Sequence, residues 1–340
     1  MGAAATFSRP HLFASLTTLL LLNALAPMAI QDIALRGLAV SGLNFFAISV
    51  VFPIAAYAIW AIAHNAPAAP VRRTDWAVGA IVLVMAVVPI HLAAKAALVP
   101  LSAYMLATAK RDDVTFRIGF IGAALTGALV WGALLLTAFA KPILAIDAAI
   151  VQTLTGVAVD GNVLSIGQRP GVAFDKIIIL GACSSLRNIS QVIILWASLV
   201  QLFEVRVTAR VVAAGLLAIA STVLVNAIRI SLIVAYPQHL EFIHHGIGSS
   251  LLGLVALVAA FAIIGSSILR SKRHAVAWHR LRRGGDCVGR DQSIGGRIGC
   301  RDRRRAPRRE RRRACRATRD GGSNRAALRR DCSRGAKGRV

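Results

Sequence analysis

Eight apolar runs limit what this chain can fold into. They fall at about 12–30, 37–63, 76–94, 96–109, 118–140, 179–203, 211–230 and 247–269. An α-helix rises about 1.5 Å per residue, so about 20 apolar residues cross the hydrocarbon core of a bilayer. Backbone inside lipid must satisfy its own N–H and C=O groups, which leaves helices or closed barrels. Continuous apolar runs of this length select helices. With 56% hydrophobic and only 16% charged residues over 340 positions, an ordinary soluble domain is excluded. The expected fold is all-α: a polytopic transmembrane helical bundle of about eight spans, with a small outer loop element and a disordered basic tail. The fourth run is short and bounded by Pro100. Arg9, an apolar core and Ala24-Leu25-Ala26 imitate a secretion signal. Pro27 would follow the cut, so an uncleaved first span is expected.

Charges between the runs give sidedness. Arg72 and Arg73 follow the second run, and Lys110, Arg111 and Arg117 the fourth. Arg206 and Arg210 follow the sixth, and Arg270, Lys272 and Arg273 the eighth. These clusters share one side, which the positive-inside rule makes cytoplasmic. The alternate loops hold fewer basic residues: Arg36, Lys95, and Lys141, Arg169 and Lys176 in the long outer segment 141–178. Within that segment, Val159-Asp160-Gly161-Asn162-Val163 sets turn residues between short β-prone runs. A small hairpin is predicted there, ended by Arg169-Pro170-Gly171, which could brace a site or grip a peptide strand. Asp147 and Asp175, in the same segment, are expected to be solvated.

The net charge of +25 is uneven. From Arg270 onward, about 25 Lys and Arg stand against about 6 Asp and Glu, leaving about +6 on the preceding 269 residues. From about residue 274 the arginine runs and glycine pairs cannot bury enough surface to fold. Such a tail either binds an anionic surface or is an incidental extension, its arginine, glycine and cysteine rising together as in a shifted reading frame of a GC-rich gene. No nucleic-acid partner is expected; the lipid bilayer is. Cys287, Cys300, Cys315 and Cys332 match no zinc spacing. The expected divisions are 1–140, an N-terminal bundle; 141–270, a catalytic membrane core; and 271–340, the tail.

Cys183 is the only other cysteine, and it sits where a loop becomes a span, in Gly181-Ala182-Cys183-Ser184-Ser185-Leu186-Arg187. The sidedness puts it on the outer face together with Arg229, in Asn226-Ala227-Ile228-Arg229-Ile230, and His244, in His244-His245-Gly246-Ile247-Gly248. A thiolate attacks carbonyls, and a place in the first turn of a helix favours that ion. His244 suits a proton carrier, since imidazole titrates near neutrality. Spacing alone does not choose between His244 and His245, and His239 in the same loop is a weaker candidate. An arginine in an apolar run costs roughly 2.5 kcal/mol or more at mid-membrane. Arg229 therefore either snorkels outward or holds charge, with Asn226 one turn earlier placed to orient it. Arg187 and Asn188, one turn past Cys183, either pair near Arg229 or meet a substrate. Gly248 would let a helix start close to its neighbour. No phosphate loop and no HExxH motif occurs, so neither cofactor nor metal is expected. Two functions fit: a cysteine acyl-transfer enzyme, or a transporter or assembly scaffold in which Arg229 and His244 bind an anionic ligand.

These stretches, in this order and spacing, resemble the exosortase/archaeosortase family over about Ile150–Ile264. Gly161-Asn162 and the apolar run before Cys183 fit as well. The resemblance implies about eight spans in the inner membrane of a bacterium, with the active site facing outward. It implies a cysteine endopeptidase or transpeptidase acting through a thioester on membrane-anchored proteins. Their C-terminal sorting signal is a short motif, a membrane helix and a basic cluster. It also implies Cys183 as nucleophile, Arg229 as stabilising cation and His244 as proton carrier. Ser185 stands where the family pattern commonly has glycine.

Overall fold

The computed structural model describes residues 8–43, 48–88, 91–168, 175–244 and 246–288. Two units divide the chain, Met1–Arg280 and Leu281–Val340. Of the second, the described part is the helical backbone up to Val288. The tail cysteines apart from Cys287, and the tail beyond Val288, lie outside the described residues.

The protein is an all-α polytopic membrane protein. Its helices are α1 (Arg9–Arg36), α2 (Leu38–Leu43), α3 (Val51–His64), α4 (Arg73–Val87), α5 (His91–Thr108), α6 (Val114–Thr126) and α7 (Gly132–Thr155). After a small sheet follow α8 (Ser185–Leu202), α9 (Ala209–Ala235), α10 (Leu240–His244) and α11 (Ile247–Val288). Among the described residues, Arg9–Leu35, Val114–Thr155, Ala209–Ala235 and Ile247–Lys272 are long and apolar enough to cross a membrane. The other expected runs form shorter helices. α8, for instance, opens with Arg187, Asn188, Ser190 and Gln191 and runs through the bundle, packed on α3, α6 and α9.

Three prolines redraw the expected boundaries. Pro100 lies inside α5 and does not bound a run. The break comes earlier, where Pro89 follows Val88, whose extended backbone (ψ 124°) closes α4. Pro142 does not end the fifth run either. A π-helical segment, Gly127–Trp131, joins α6 to α7, and Phe139 leaves helical geometry (φ −130°, ψ 30°) just ahead of Pro142. A proline ring clashes with the carbonyl four residues back, so the helix kinks there and continues to Thr155. The outer segment expected over 141–178 is therefore helical for its first fifteen residues.

The rest of that segment is the expected hairpin and one strand more. Strands β1 (Ala158–Asp160), β2 (Val163–Ser165) and β3 (Lys176–Ile178) form an antiparallel sheet in the order β1-β2-β3. Gly161, at φ 60°, supplies the left-handed position in the β1–β2 turn. Residues 169–174, which hold the expected Arg169-Pro170-Gly171 terminator, lie outside the described residues. Leu164, Ile166 and Ile179 pack against Leu144, Ala148 and Val151 of α7 and Ile230 and Val234 of α9. The sheet thereby packs on the C-terminal parts of α7 and α9.

At the far end of the bundle a buried ion pair fastens α1. Arg9 Nε donates to Asp75 Oδ2 at 2.9 Å, with Arg9 3% and Asp75 0% exposed. Arg9 Nη2 donates to Thr108 Oγ1, and the Tyr104 hydroxyl and Arg72 N–H donate to Asp75. Removing one partner of such a pair leaves a buried charge uncompensated, at about 3–5 kcal/mol. Asp75→Ala is expected to lower unfolding stability in detergent by that order, and Asp75→Leu combined with Arg9→Met to recover most of it. Equal melting of Asp75→Ala and the parent would show that the clasp does not hold the bundle.

Candidate active site

The last strand feeds a tight turn. Asn162 at the hairpin tip exchanges two bonds with Ile179: Ile179 N–H donates to the Asn162 carbonyl at 2.9 Å, and Asn162 Nδ2 donates to the Ile179 carbonyl at 2.9 Å. Fixed there, the chain enters a 3₁₀ turn, Gly181–Cys183, and α8 starts at Ser185. Cys183 thus precedes the helix, half-buried, and does not occupy its first turn.

Three further elements converge on the thiol. His244, the last residue of α10, places Nε2 2.8 Å from Cys183 Sγ, across 61 positions of sequence. Arg229 on α9 reaches over the connection between α10 and α11. Its Nε donates to the Ile243 carbonyl at 3.3 Å, and its Nη2 to the His244 carbonyl and Ser249 Oγ at 2.8 Å each. The guanidinium therefore holds the segment that presents the imidazole. Gly248 helps: a Cβ there would stand 2.9 Å from the Phe242 carbonyl oxygen, so only glycine lets α11 start this close to α10.

Asn226 does not orient Arg229, contrary to the expectation from its spacing. Asn226 Nδ2 instead donates to the Cys183 carbonyl at 2.9 Å and to Ser185 Oγ at 3.1 Å. Asp147 is not solvated either. It is 5% exposed on α7, and its Oδ2 accepts the Ser185 N–H at 3.0 Å. Ser184 caps the next position, its Oγ accepting the Leu186 N–H at 3.2 Å. Two of the N–H groups that would favour a thiolate are thus already taken, by a carboxylate and a hydroxyl. Burial pushes the Cys183 thiol up, the Arg229 charge and a backbone bond pull it back in part, and the Asp147 charge adds to the rise.

The family model for Transmembrane exosortase matches residues 41–262, about two thirds of the chain. The chain belongs to the exosortase family. The match reaches well ahead of Ile150, so the helices from α3 onward share the likeness. No curated protein and no solved structure matches the chain. Exosortases as a family are membrane transpeptidases or proteases.

In this exosortase the site opens into a cavity of about 320 Å³ lined by Lys176–Ile179, Cys183, Asn226, Arg229, Ile230, Ile233, Leu240 and His244. Asn226 and Arg229 also line a second, smaller cleft of about 100 Å³ with Asn188, Gln191 and Thr222. Asn188 therefore does lie in Arg229's neighbourhood, whereas Arg187 is exposed. His239 is exposed in the turn ahead of α10, and Asp175 is exposed as expected. His245 lies outside the described residues.

Asp147 is the residue to test here. Asp147→Asn removes a negative charge that disfavours thiolate. The midpoint of the Cys183 alkylation rate against pH is expected to move to lower pH. Loss of the charged cap should cost about 1 kcal/mol of stability. An unchanged or upward-shifted profile would show that the carboxylate does not act on the thiol.

Proposed function

We propose that this exosortase is a cysteine endopeptidase or transpeptidase that cleaves C-terminal sorting signals from exported proteins. It acts at the outer face of the bacterial inner membrane, with the three basic-poor outer elements (the sheet, the Cys183 turn and the α10–α11 connection) facing the periplasm. The observation that carries this is the 2.8 Å pair between Cys183 Sγ and His244 Nε2, built from distant segments beside a cavity. A structural cysteine has no need of an imidazole, an arginine and open space together.

The mechanism follows from that pair. His244 carries its ring proton on Nδ1, leaving Nε2 to accept the thiol proton as Sγ attacks the scissile carbonyl carbon. Proton removal and attack go together, since burial disfavours a free thiolate. The C=O electron pair moves onto oxygen, where the positive charge of Arg229 stabilises it. The tetrahedral intermediate collapses, the C–N bond breaks, and imidazolium returns its proton to the leaving amine. The released fragment carries the substrate's membrane helix. The thioester left on Cys183 then passes to water or to an acceptor amine, with His244 taking the proton from that nucleophile.

The test is co-expression with reporter proteins that end in a short motif, one membrane helix and a basic cluster. The parent is expected to shorten a reporter. Cys183→Ser should leave it at the level of cells lacking the enzyme, and His244→Ala should slow processing by about 10²–10⁴-fold. Processing that survives in Cys183→Ser would leave the transporter or scaffold function as the better account.

A further inference from the structure

We infer that substrate is held as an added β-strand on the outer edge of β3, an inference that rests on the acyl-transfer function proposed above. The occupant is the extended stretch of substrate on the N-terminal side of the bond cleaved. The C-terminal side continues into the substrate's membrane helix and runs toward the bilayer.

The backbone pattern supplies the argument. In an antiparallel pair, residues alternate between those that bond across to the partner strand and those whose N–H and C=O point away. The Ile179 N–H donates to the Asn162 carbonyl, and the Ile166 N–H donates to the Asp175 carbonyl, both at 2.9 Å. With the register Leu164↔Ile177 between them, residues 175, 177 and 179 bond toward β2. Lys176 and Ile178 therefore turn their backbone groups outward. Among the described residues β3 pairs with β2 alone.

That outward edge looks into the site. Side chains alternate across a sheet, so a cavity lying on one face would meet every second residue. The cavity that holds Cys183 and His244 meets Lys176, Ile177, Ile178 and Ile179 in succession, as a cavity running along a strand edge does. The strand leads directly into the nucleophile's turn, five residues from Ile178 to Cys183. The sheet's own position is fixed by Ile179 and Leu164 packing on α7 and α9, so the edge is presented rigidly. The Lys176 and Ile178 side chains stand exposed on the opposite face from Ile177 and Ile179. Main-chain pairing explains how a short motif can be gripped here without a deep pocket for each side chain.

Two arms test this with a reporter that the full-length parent cleaves in a Cys183-dependent manner. Ile178→Pro deletes one outward N–H without touching a β2 bond. It is expected to reduce cleavage at least tenfold, far more than Ile178→Val, while Cys183 still alkylates at the parent rate. If the proline variant does not accumulate, the second arm decides. Lys176→Cys, in a background with Cys183→Ala and serine at the tail cysteines, is oxidised against reporters carrying single cysteines upstream of the cleavage site. Disulfides at every second reporter position support the added strand. Disulfides without a period of two, or none at all, overturn it, as does equal loss in Ile178→Pro and Ile178→Val. A parent that cleaves no reporter removes the acyl-transfer function and this inference with it. Cys183-dependent cleavage with aperiodic crosslinks removes this inference alone.

Discussion

The first turn of a helix has N–H groups with no helical partner, which side chains, neighbouring turns or water must meet. In α8 those groups are met by Asp147 from α7 and Ser184 from the preceding turn. The same spot receives Asn226 from α9, which fixes the Cys183 carbonyl and the Ser185 hydroxyl. Satisfying one helix start therefore ties three helices together within a few ångströms of the thiol. Arg229, one turn along α9, extends the tie to the α10–α11 connection. The Cys183–His244 pair is a consequence: each member sits on a short segment whose position is set by side chains from a long helix.

The same arrangement bears on the acyl-transfer chemistry proposed for the site. A free helix N-terminus would favour a standing thiolate. Here two of the N–H groups are spent on structure and the neighbouring carboxylate works against ionisation, so the proposed chemistry assigns activation to the imidazole. Ser185 belongs to this tie through its hydroxyl and its N–H.

Much of this was legible in the chain. Long apolar runs select helices because backbone in lipid has few other ways to bond, and the basic clusters put Cys183, Arg229 and His244 on one face. The hairpin was legible because Asp160-Gly161-Asn162 has turn chemistry that few other structures use. Asp147 was misread because Lys141-Pro142 looks like the end of a span. The signal against that was present: Leu144, Ala148 and Val151 recur at helical spacing, and Asp147 falls on the same buried face. β3 was hidden because Lys176-Ile177-Ile178-Ile179-Leu180 merges with the next apolar run, and a short apolar stretch does not distinguish strand from helix. Asn226 was assigned to the wrong partner because helical spacing names neighbours on one helix, while its actual acceptors come from the Cys183 turn and α8.

The central claim is an outward-facing thiol activated by His244. It is tested most directly by labelling Cys183 with a membrane-impermeant methanethiosulfonate reagent in intact spheroplasts, using chains with serine at the tail cysteines. The account predicts labelling from outside at neutral pH, at least tenfold slower in His244→Ala. Protein that labels only after detergent opens the membrane, or that labels equally fast without His244, would contradict it.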